Sequence, residues 1–377
     1  MKSFGTILQE AALAKQKAKM SGDVEDNILT AGSEGYTHAL KTLHAISNSM
    51  QGKGSDAYIS KEHNSSSSIV FGHHPETGKF FVASKSAIGA ANPKLSYTAD
   101  DVERNHGHAP GVAEKLKSAL RHLPKVAPEK GIYHGNIMHS GMKDVKKSGG
   151  DYNFTPGKVT YTTQQSSPEG RKVSSSKMGL VVTAQYKGSD FQSLKPSPTP
   201  NVKSFKEHPD VHMMSSEVDA TQSHFDKKTM QSFDQHMAAA DASHKKLTKG
   251  GYEALTRHSE MLKKYIDQTI KKNKPTTTAG FKKYMEDRGN KDMEKLQTKA
   301  GKATRLRAHN LTLQQIDQDK KHISNAIELH SHLRQAKNTL VHALVPAASA
   351  GYKVSELDNN LNVTLDGHTT KLRDRSA

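Results

Sequence analysis

The 377-residue sequence predicts an α+β fold with largely antiparallel sheets, followed by a mostly helical region and a small terminal β-hairpin. Three observations predict it. Between residues 34 and 190, short β-type runs of mixed length are interrupted by amphipathic helical stretches, the texture of antiparallel sheets with flanking helices. From about 212 to 345, apolar residues recur at the helical period. In the tail, Asp366-Gly367 separates two short runs, and this pair is chemistry for a two-residue hairpin turn.

The elements follow in order. Residues 1–33 read as a short amphipathic helix and a flexible lead-in. Ala39, Leu43 and Ile46 set a helix over 34–50. Strands are expected at 57–60, 68–72 and 79–84, with HHPETG as the turn between the last two. GVAEKLKSALRHL at 111–123 is a second amphipathic helix. Strands return at 131–139, 152–163 and 177–188. Residues 34–190 therefore form one expected domain. Pro196, Pro198, Pro200 and Pro209 mark 191–211 as a linker. In the helical domain, 212–345, Tyr252, Leu255, Leu262, Tyr265 and Ile266 share one face, as do Ile316, Ile323, Ile327, Leu340, Val341 and Leu344. Residues 346–377 hold the hairpin and tail.

Composition narrows the function classes. Hydrophobic residues make up 33% of the chain and aromatics 6%, so the core is thin or distributed. There is no cysteine, which excludes disulfides and thiolate metal sites. No apolar run reaches the roughly 20 residues of a membrane span, and the N-terminus does not read as a secretory signal. The formal net charge is +17, from 55 Lys+Arg against 38 Asp+Glu. Such a surplus favours polyanions, through counterion release. The natural partner is nucleic acid, RNA or DNA, with an anionic membrane surface as the rival. Lysine and arginine far outnumber acids over 241–307. That stretch reads either as a backbone-tracking surface or as a solvated one, and its few aromatics do not argue for base stacking. His73-His74, His106 and His108 read as loop histidines, because no carboxylate stands at helical spacing to complete a metal site. His330 and His332, two apart on a helix, read as surface or partly buried polar residues. No Walker-type loop, Gly-x-Ser-x-Gly elbow or dinucleotide fingerprint is present.

Lys61 ends the first strand, just before the polar run NSSSS. Taken alone it is ordinarily a solvated loop residue. The order of elements around it opens a second reading. A lysine that attacks the α-phosphate of a nucleotide needs a depressed pKa or a nearby base. It also needs cations to hold phosphates, and two strand-built walls. Lys85 follows on FFVASKS, GIYHGNIM supplies a glycine-containing strand, and KMGLVVTAQYKG carries Lys177 and Lys187 at its ends.

The run from FGHHPETGKFFVASKS through GIYHGNIMHS and YNFTPGKVTYTT to SSKMGLVVTAQYKG resembles an uncharacterised protein family of large tailed phages of marine bacteria. The front half of that family resembles ATP-dependent RNA/DNA ligase-type nucleotidyltransferases. The resemblance covers most of the chain from about residue 55, and it rests on the order of moderately specific motifs. It implies a nucleotidyltransferase-like fold over 34–190, a lysyl-nucleotide intermediate at Lys61, and ATP with Mg2+ as cofactors. His63, Lys85, Asn136, Lys177 and Lys187 would contact the nucleotide or its phosphates. It also implies a location in the host cytoplasm or the virion. The sequence departs from the family pattern at its acids. Lys-x-Asp-Gly is spelled Lys61-Glu62-His63-Asn64, the acid of the middle strand is Asn136, and Glu169-Gly170 is followed by Arg171-Lys172 instead of an apolar strand. The lysines fit and the carboxylates do not. Two expectations result: an active nucleotidyltransferase, or a catalytically degenerate nucleic-acid-binding or virion-associated protein that uses the same basic cleft.

Overall fold

The computed structural model describes residues 22–63, 67–188, 190–349, 351–355 and 360–375. The helical lead-in expected over 1–21 lies outside the described residues, as do Asn64, Ser65 and Ser66. The chain divides into two compact units. Unit 1 comprises residues 1–57, 220–345 and 359–377, and unit 2 comprises 58–219 and 346–358. No helix among the described residues is long and apolar enough to cross a membrane.

Unit 2 carries the sheets. Its strands are β1 (Tyr58–Lys61), β2 (Ser68–His73), β3 (Phe80–Ser84), β4 (Ile132–His139), β5 (Val145–Ser148), β6 (Asp151–Phe154), β7 (Tyr161–Gln164), β8 (Met178–Lys187), β9 (Lys195–Ser197), β10 (Val211–Met214) and β11 (Lys353–Val354). The larger sheet runs β10-β8-β4-β2-β3, with β9 paired to β8. It is antiparallel except at β10, which runs parallel to β8. A second, antiparallel sheet runs β11-β7-β6-β5. β1 is bonded along the segment before residue 219: Lys61 N donates to Ser216 O at 2.8 Å, and Val218 N donates to Ile59 O at 2.9 Å.

Three helices flank these sheets: α1 (Ala99–His106), α2 (Pro110–His122) and α3 (Pro168–Ser175). Leu116 and Ala119 of α2, with Leu123 in the 3-10 turn that follows it, pack on Ile69, Phe71, Tyr133 and Leu180 of the large sheet. The segment 191–211, expected as a linker, is built into this unit. Phe191 is buried in one core cluster and Phe205 packs on another, while Pro196 stands opposite Tyr186 as part of β9. Aromatic residues between the prolines supply burial that the Pro-rich composition hides. Residues 152–163, expected as one strand, are β6 and β7, turned through Pro156-Gly157.

Unit 1 is mainly helical. It holds α4 (Asn27–Met50), α5 (Lys227–Lys245), α6 (Lys249–Lys271), α7 (Thr278–Glu294), α8 (Lys299–Gln318) and most of α9 (Lys320–Ser349). The helix expected over 34–50 is the part of α4 beyond Gly32, where φ is 61° and the helix breaks. Its Tyr36, Ala39, Leu43 and Ile46 are buried at helical spacing, as are Leu255, Leu262 and Ile266 of α6. Three helices start with the same device. The side chains of Thr248, Thr277 and Thr298 accept from the backbone N–H groups of Gly251, Gly280 and Gly301, satisfying donors that a helix start leaves open. The expected tail hairpin is β12 (Leu361–Leu365) and β13 (His368–Leu372). Asp366 at φ 51° and Gly367 at φ 73° give the doubly left-handed turn that matches strand twist.

Candidate functional site

The large sheet places the site, and alternation along β4 sets it. Residues two apart share a face. Tyr133, Gly135 and Ile137 face the α2 side, where Tyr133 and Ile137 join the core with Phe71 and Leu180. The other face carries Ile132, His134, Asn136 and Met138 in order. Ile132 belongs to an apolar cluster with Val70, Phe81 and Phe191. Met138 belongs to another, with Tyr152, Phe154, Tyr161 and Val181. Two polar residues thus sit between two apolar patches. Ser68 of β2 stands opposite Asn136 and widens this stripe, and Thr183 of β8 borders it beside His134.

His134 is held at both ring nitrogens. Nδ1 lies 2.7 Å from Thr183 Oγ1, and Nε2 contacts Ser68 Oγ. Burial, helped by the charge of Lys85, pushes its pKa down to about 4, so the ring is neutral at physiological pH. His63 follows the same rule. Burial and the charge of Lys61 bring it to about 4. Its ring stacks on Tyr161 at 5.9 Å between centroids, and its carbonyl accepts from Asn136 Nδ2 at 3.2 Å. Lys61 Nζ donates to the carbonyl of Ala348 at 3.4 Å. Lys85 is exposed, in the 3-10 turn that follows β3.

Four of the six residues expected from sequence are therefore gathered on one face: Lys61, His63, Lys85 and Asn136. Lys177 and Lys187 are not gathered with them, nor with each other. They bracket β8, and at roughly 3.3 Å per residue they lie about 33 Å apart. Lys177 sits where β10 begins, its N–H on Asp210 O at 2.8 Å, and Lys187 stands opposite Lys195. One phosphate group does not reach both. Glu169-Gly170 lies in the first turn of α3, where Gly170 N donates to Ser167 Oγ, so no strand follows that pair.

His134, Tyr161 and Thr183 join the site without a sequence motif to mark them, whereas Ser68 belongs to the serine run 65–68, which reads either as a phosphate cap or, more often, as a hairpin tip. The signal for His134 was present: in IYHGNIM the polar residues are two apart on one face of an otherwise apolar strand. Thr183 carries no comparable mark, because a strand threonine is ordinary.

The donors along this stripe are imidazole, hydroxyl, carboxamide and ammonium. Mg2+ takes hard oxygen ligands, chiefly carboxylates and phosphates, so this set does not fit it. Among the described residues no group of three or more His, Cys, Asp or Glu side chains is arranged to hold a metal ion. What the stripe offers is neutral hydrogen-bonding groups between two lysines, a surface suited to anionic oxygens and polar ring edges.

No curated protein and no solved structure matches the chain. A model of a family of unknown function does match, over residues 23–374, and the chain belongs to that family, DUF6267.

Proposed function

We propose that unit 2 binds a phosphate-bearing partner, a nucleotide or a nucleic-acid strand, along the His134–Asn136 stripe without metal-assisted chemistry. The observation that carries this reading is the placement of Lys61 and Lys85 beside imidazoles that burial keeps neutral. Cations there meet phosphate, and the neutral rings and hydroxyls meet polar edges without adding charge. The resemblance to a phage family is the basis for proposing the host cytoplasm, or the virion, as the place of action. The positive surplus on the helices adds to the attraction only in part, because some of it is locally neutralised. Lys282 pairs with Asp317, and Arg305 with Asp292.

A second reading is the transfer itself. Lys61 Nζ would attack the α-phosphorus of ATP, forming a P–N bond as the P–O bond to pyrophosphate breaks, with two protons lost to solvent, one from the ammonium before attack and one from the nitrogen once the bond has formed. The position of Lys61 at the end of β1, its Nζ donating to the Ala348 carbonyl at 3.4 Å beside the stripe, favours it, although His63, held at about 4, is too weak a base to take the lysine's proton. The poor match of the stripe to Mg2+ weighs against it.

One experiment separates the two. The protein is incubated with α-labelled ATP and Mg2+, and binding to single-stranded RNA and DNA is measured across salt concentration. Binding without covalent label, with a salt slope reduced by about 2 in the Lys61→Ala/Lys85→Ala double variant, supports the first reading. An acid-stable label absent from Lys61→Ala replaces it with the second. Binding that is insensitive to salt overturns the first reading, and the absence of any label overturns the second.

A further inference from the structure

Away from that stripe, unit 1 carries a cleft of about 400 Å³ between the end of α6 with its following turn and one face of α9. Its floor is apolar: Ile266, Ile270 and Ile327. Its rim is basic. Lys274 lies in the turn after Asn273, whose φ of 48° reverses the chain there. Lys274 has no carboxylate partner among the described residues, and the same holds for Lys271 and Lys272 beside it. From α9 come Arg334 and His332. The Arg334 guanidinium donates to the carbonyl of Arg375 at 3.1 Å, and burial lowers its pKa, with the opposing pull of Glu25 and the push of Arg375 following. Its positive charge is thus held in a partly desolvated position. His332 Nδ1 is buried without a hydrogen-bond partner, a polar atom whose isolation costs free energy until something meets it. The acid on the rim, Glu328, is turned to Lys246 at 3.5 Å.

We propose that this cleft binds a phosphomonoester carried on a flat or apolar body, at the scale of one nucleotide. The volume falls within the range of small-molecule sites, which combine apolar walls with a few convergent polar groups. Lys274 and Arg334 supply the charge for the phosphate. The imidazole of His332 supplies a further polar contact from the wall, and the three isoleucines cover the organic moiety. The same chemistry has two sources, a free nucleoside monophosphate or the terminal 5′-phosphate of a nucleic-acid strand. The cleft is distinct from the unit 2 stripe and does not depend on the reading given for it.

The test is calorimetry on the full chain with AMP, adenosine and inorganic phosphate, beside anisotropy with a short oligonucleotide bearing a 5′-phosphate or a 5′-hydroxyl. AMP is expected to bind more tightly than either fragment. Lys274→Gln and His332→Phe are each expected to weaken it roughly tenfold, the effect of losing one charge-assisted or buried hydrogen bond. Lys61→Ala/Lys85→Ala removes any AMP held by the unit 2 stripe and is expected to leave the cleft as a remaining AMP site that still responds to Lys274→Gln and His332→Phe. In the Lys61→Ala/Lys85→Ala background, preference for the 5′-phosphorylated strand over the 5′-hydroxyl strand assigns the source as a strand terminus; equal binding of the two strands beside tight AMP binding assigns a free nucleotide. The proposal is overturned if AMP binds no better than adenosine. It is also overturned if AMP binding survives Lys274→Gln and His332→Phe but is lost in Lys61→Ala/Lys85→Ala. Both cleft variants alter rim side chains and leave the helix contacts in place, and circular dichroism confirms that they fold.

Discussion

The two units meet the same physical problem, polar groups inside the protein, with opposite answers. Unit 1 buries ions and pairs them. Asp23, Glu25 and Asp26, in the turn before α4, are 0%, 0% and 1% exposed, and cations surround them. Lys337 donates to Glu25 at 2.8 Å. His330 meets Asp26 at 2.9 Å, Arg375 reaches Glu25 and Asp26 at 3.2 Å each, and Arg373 and Lys263 add to the set. Unit 2 buries histidines and leaves them neutral. His63, His134 and His139 sit at about 4 and His212 at about 3, each chiefly through burial. The contrast is one of degree, since His38 in unit 1 is also pushed to about 4. An ion pair holds its place only while both partners remain. A neutral ring tolerates the loss of a partner but resists taking a proton.

The largest test breaks an ion set. Lys337 is fully buried. Lys337→Met removes its charge and leaves Glu25, whose Oε2 has no hydrogen-bond partner even in the intact protein, with the Arg375 hydrogen bond and the more distant charge of Arg334. The expected loss in unit 1 is about 3–5 kcal/mol, the cost of stranding a buried charge. Urea unfolding followed by circular dichroism measures it. Adding Glu25→Gln is expected to recover part of the loss, because the stranded charge goes while an acceptor for Arg375 stays. If Lys337→Met costs under 1 kcal/mol, the pairing account of unit 1 is wrong.

Acid sharpens the comparison next. A histidine whose folded pKa is depressed binds its proton more weakly than the unfolded chain does. Its contribution is therefore intact above about 6.5 and erodes as pH falls toward 4. For one fully buried ring such as His139 the full loss is on the order of 3 kcal/mol. Asp26 behaves differently. Burial would raise its pKa, but the His330 hydrogen bond and the charges of His330, Arg375 and Lys263 hold it well below the usual carboxylate range. That stabilisation is present above pH 3.8 and is lost only below it. Between pH 6.5 and 4.5, then, unit 2 is expected to loosen first. Peptide-resolved hydrogen exchange at pH 7 and pH 5, corrected for intrinsic rates, reads this directly. Equal loss of protection in both units would remove the distinction.

Some of this organisation was legible in the sequence and some was not. Periodicity placed α2, α6 and α9 because each buries one regular face, although Ile316, counted on the same face as α9, belongs to α8; turn chemistry at Asp366-Gly367 placed the tail hairpin. It also placed β2, β3, β4 and β8 within a residue or two. Capping chemistry would have added the starts of α6, α7 and α8, since Thr-x-x-Gly recurs at all three. The buried ion set was illegible for a different reason. Asp23, Glu25 and Asp26 meet Lys337, Arg373 and Arg375 across more than 300 residues, and a charged residue written in a sequence looks solvated. His330 reads as a surface or partly buried polar residue on the same grounds, and it is 2% exposed against Asp26, further in than either. In the candidate site, motif order gathered Lys61, His63, Lys85 and Asn136 but also enlisted Lys177 and Lys187. Strand length separates those two, and a list of basic residues does not carry strand length.

The smallest effect is expected where the two answers differ most. His139 is 1% exposed, and neither ring nitrogen has a hydrogen-bond partner among the described residues. Its ring lies against Gly179, where an added Cβ would come within 2.3 Å of Cδ2, and edge-on to Phe154 at 5.4 Å. The site is shaped for a flat ring, and the ring gains nothing there from being polar. His139→Phe keeps the flat shape and removes two isolated nitrogens, at the risk of crowding by its larger ring. His139→Leu removes the nitrogens with less volume. The better of the two is expected to lie within about 1 kcal/mol of the parent, on the stabilising side, since replacing an unsatisfied buried group by an apolar one of similar shape is close to neutral or favourable. Either variant also removes one proton-binding group from the unfolded chain, so stability should fall less between pH 6.5 and 4.5 than in the parent. Urea midpoints at pH 7 and pH 5 give both numbers. A loss above 2 kcal/mol at pH 7 for both variants would mean that the His139 nitrogens are satisfied by an ordered water, making unit 2 dependent on its polar partners in the way unit 1 is.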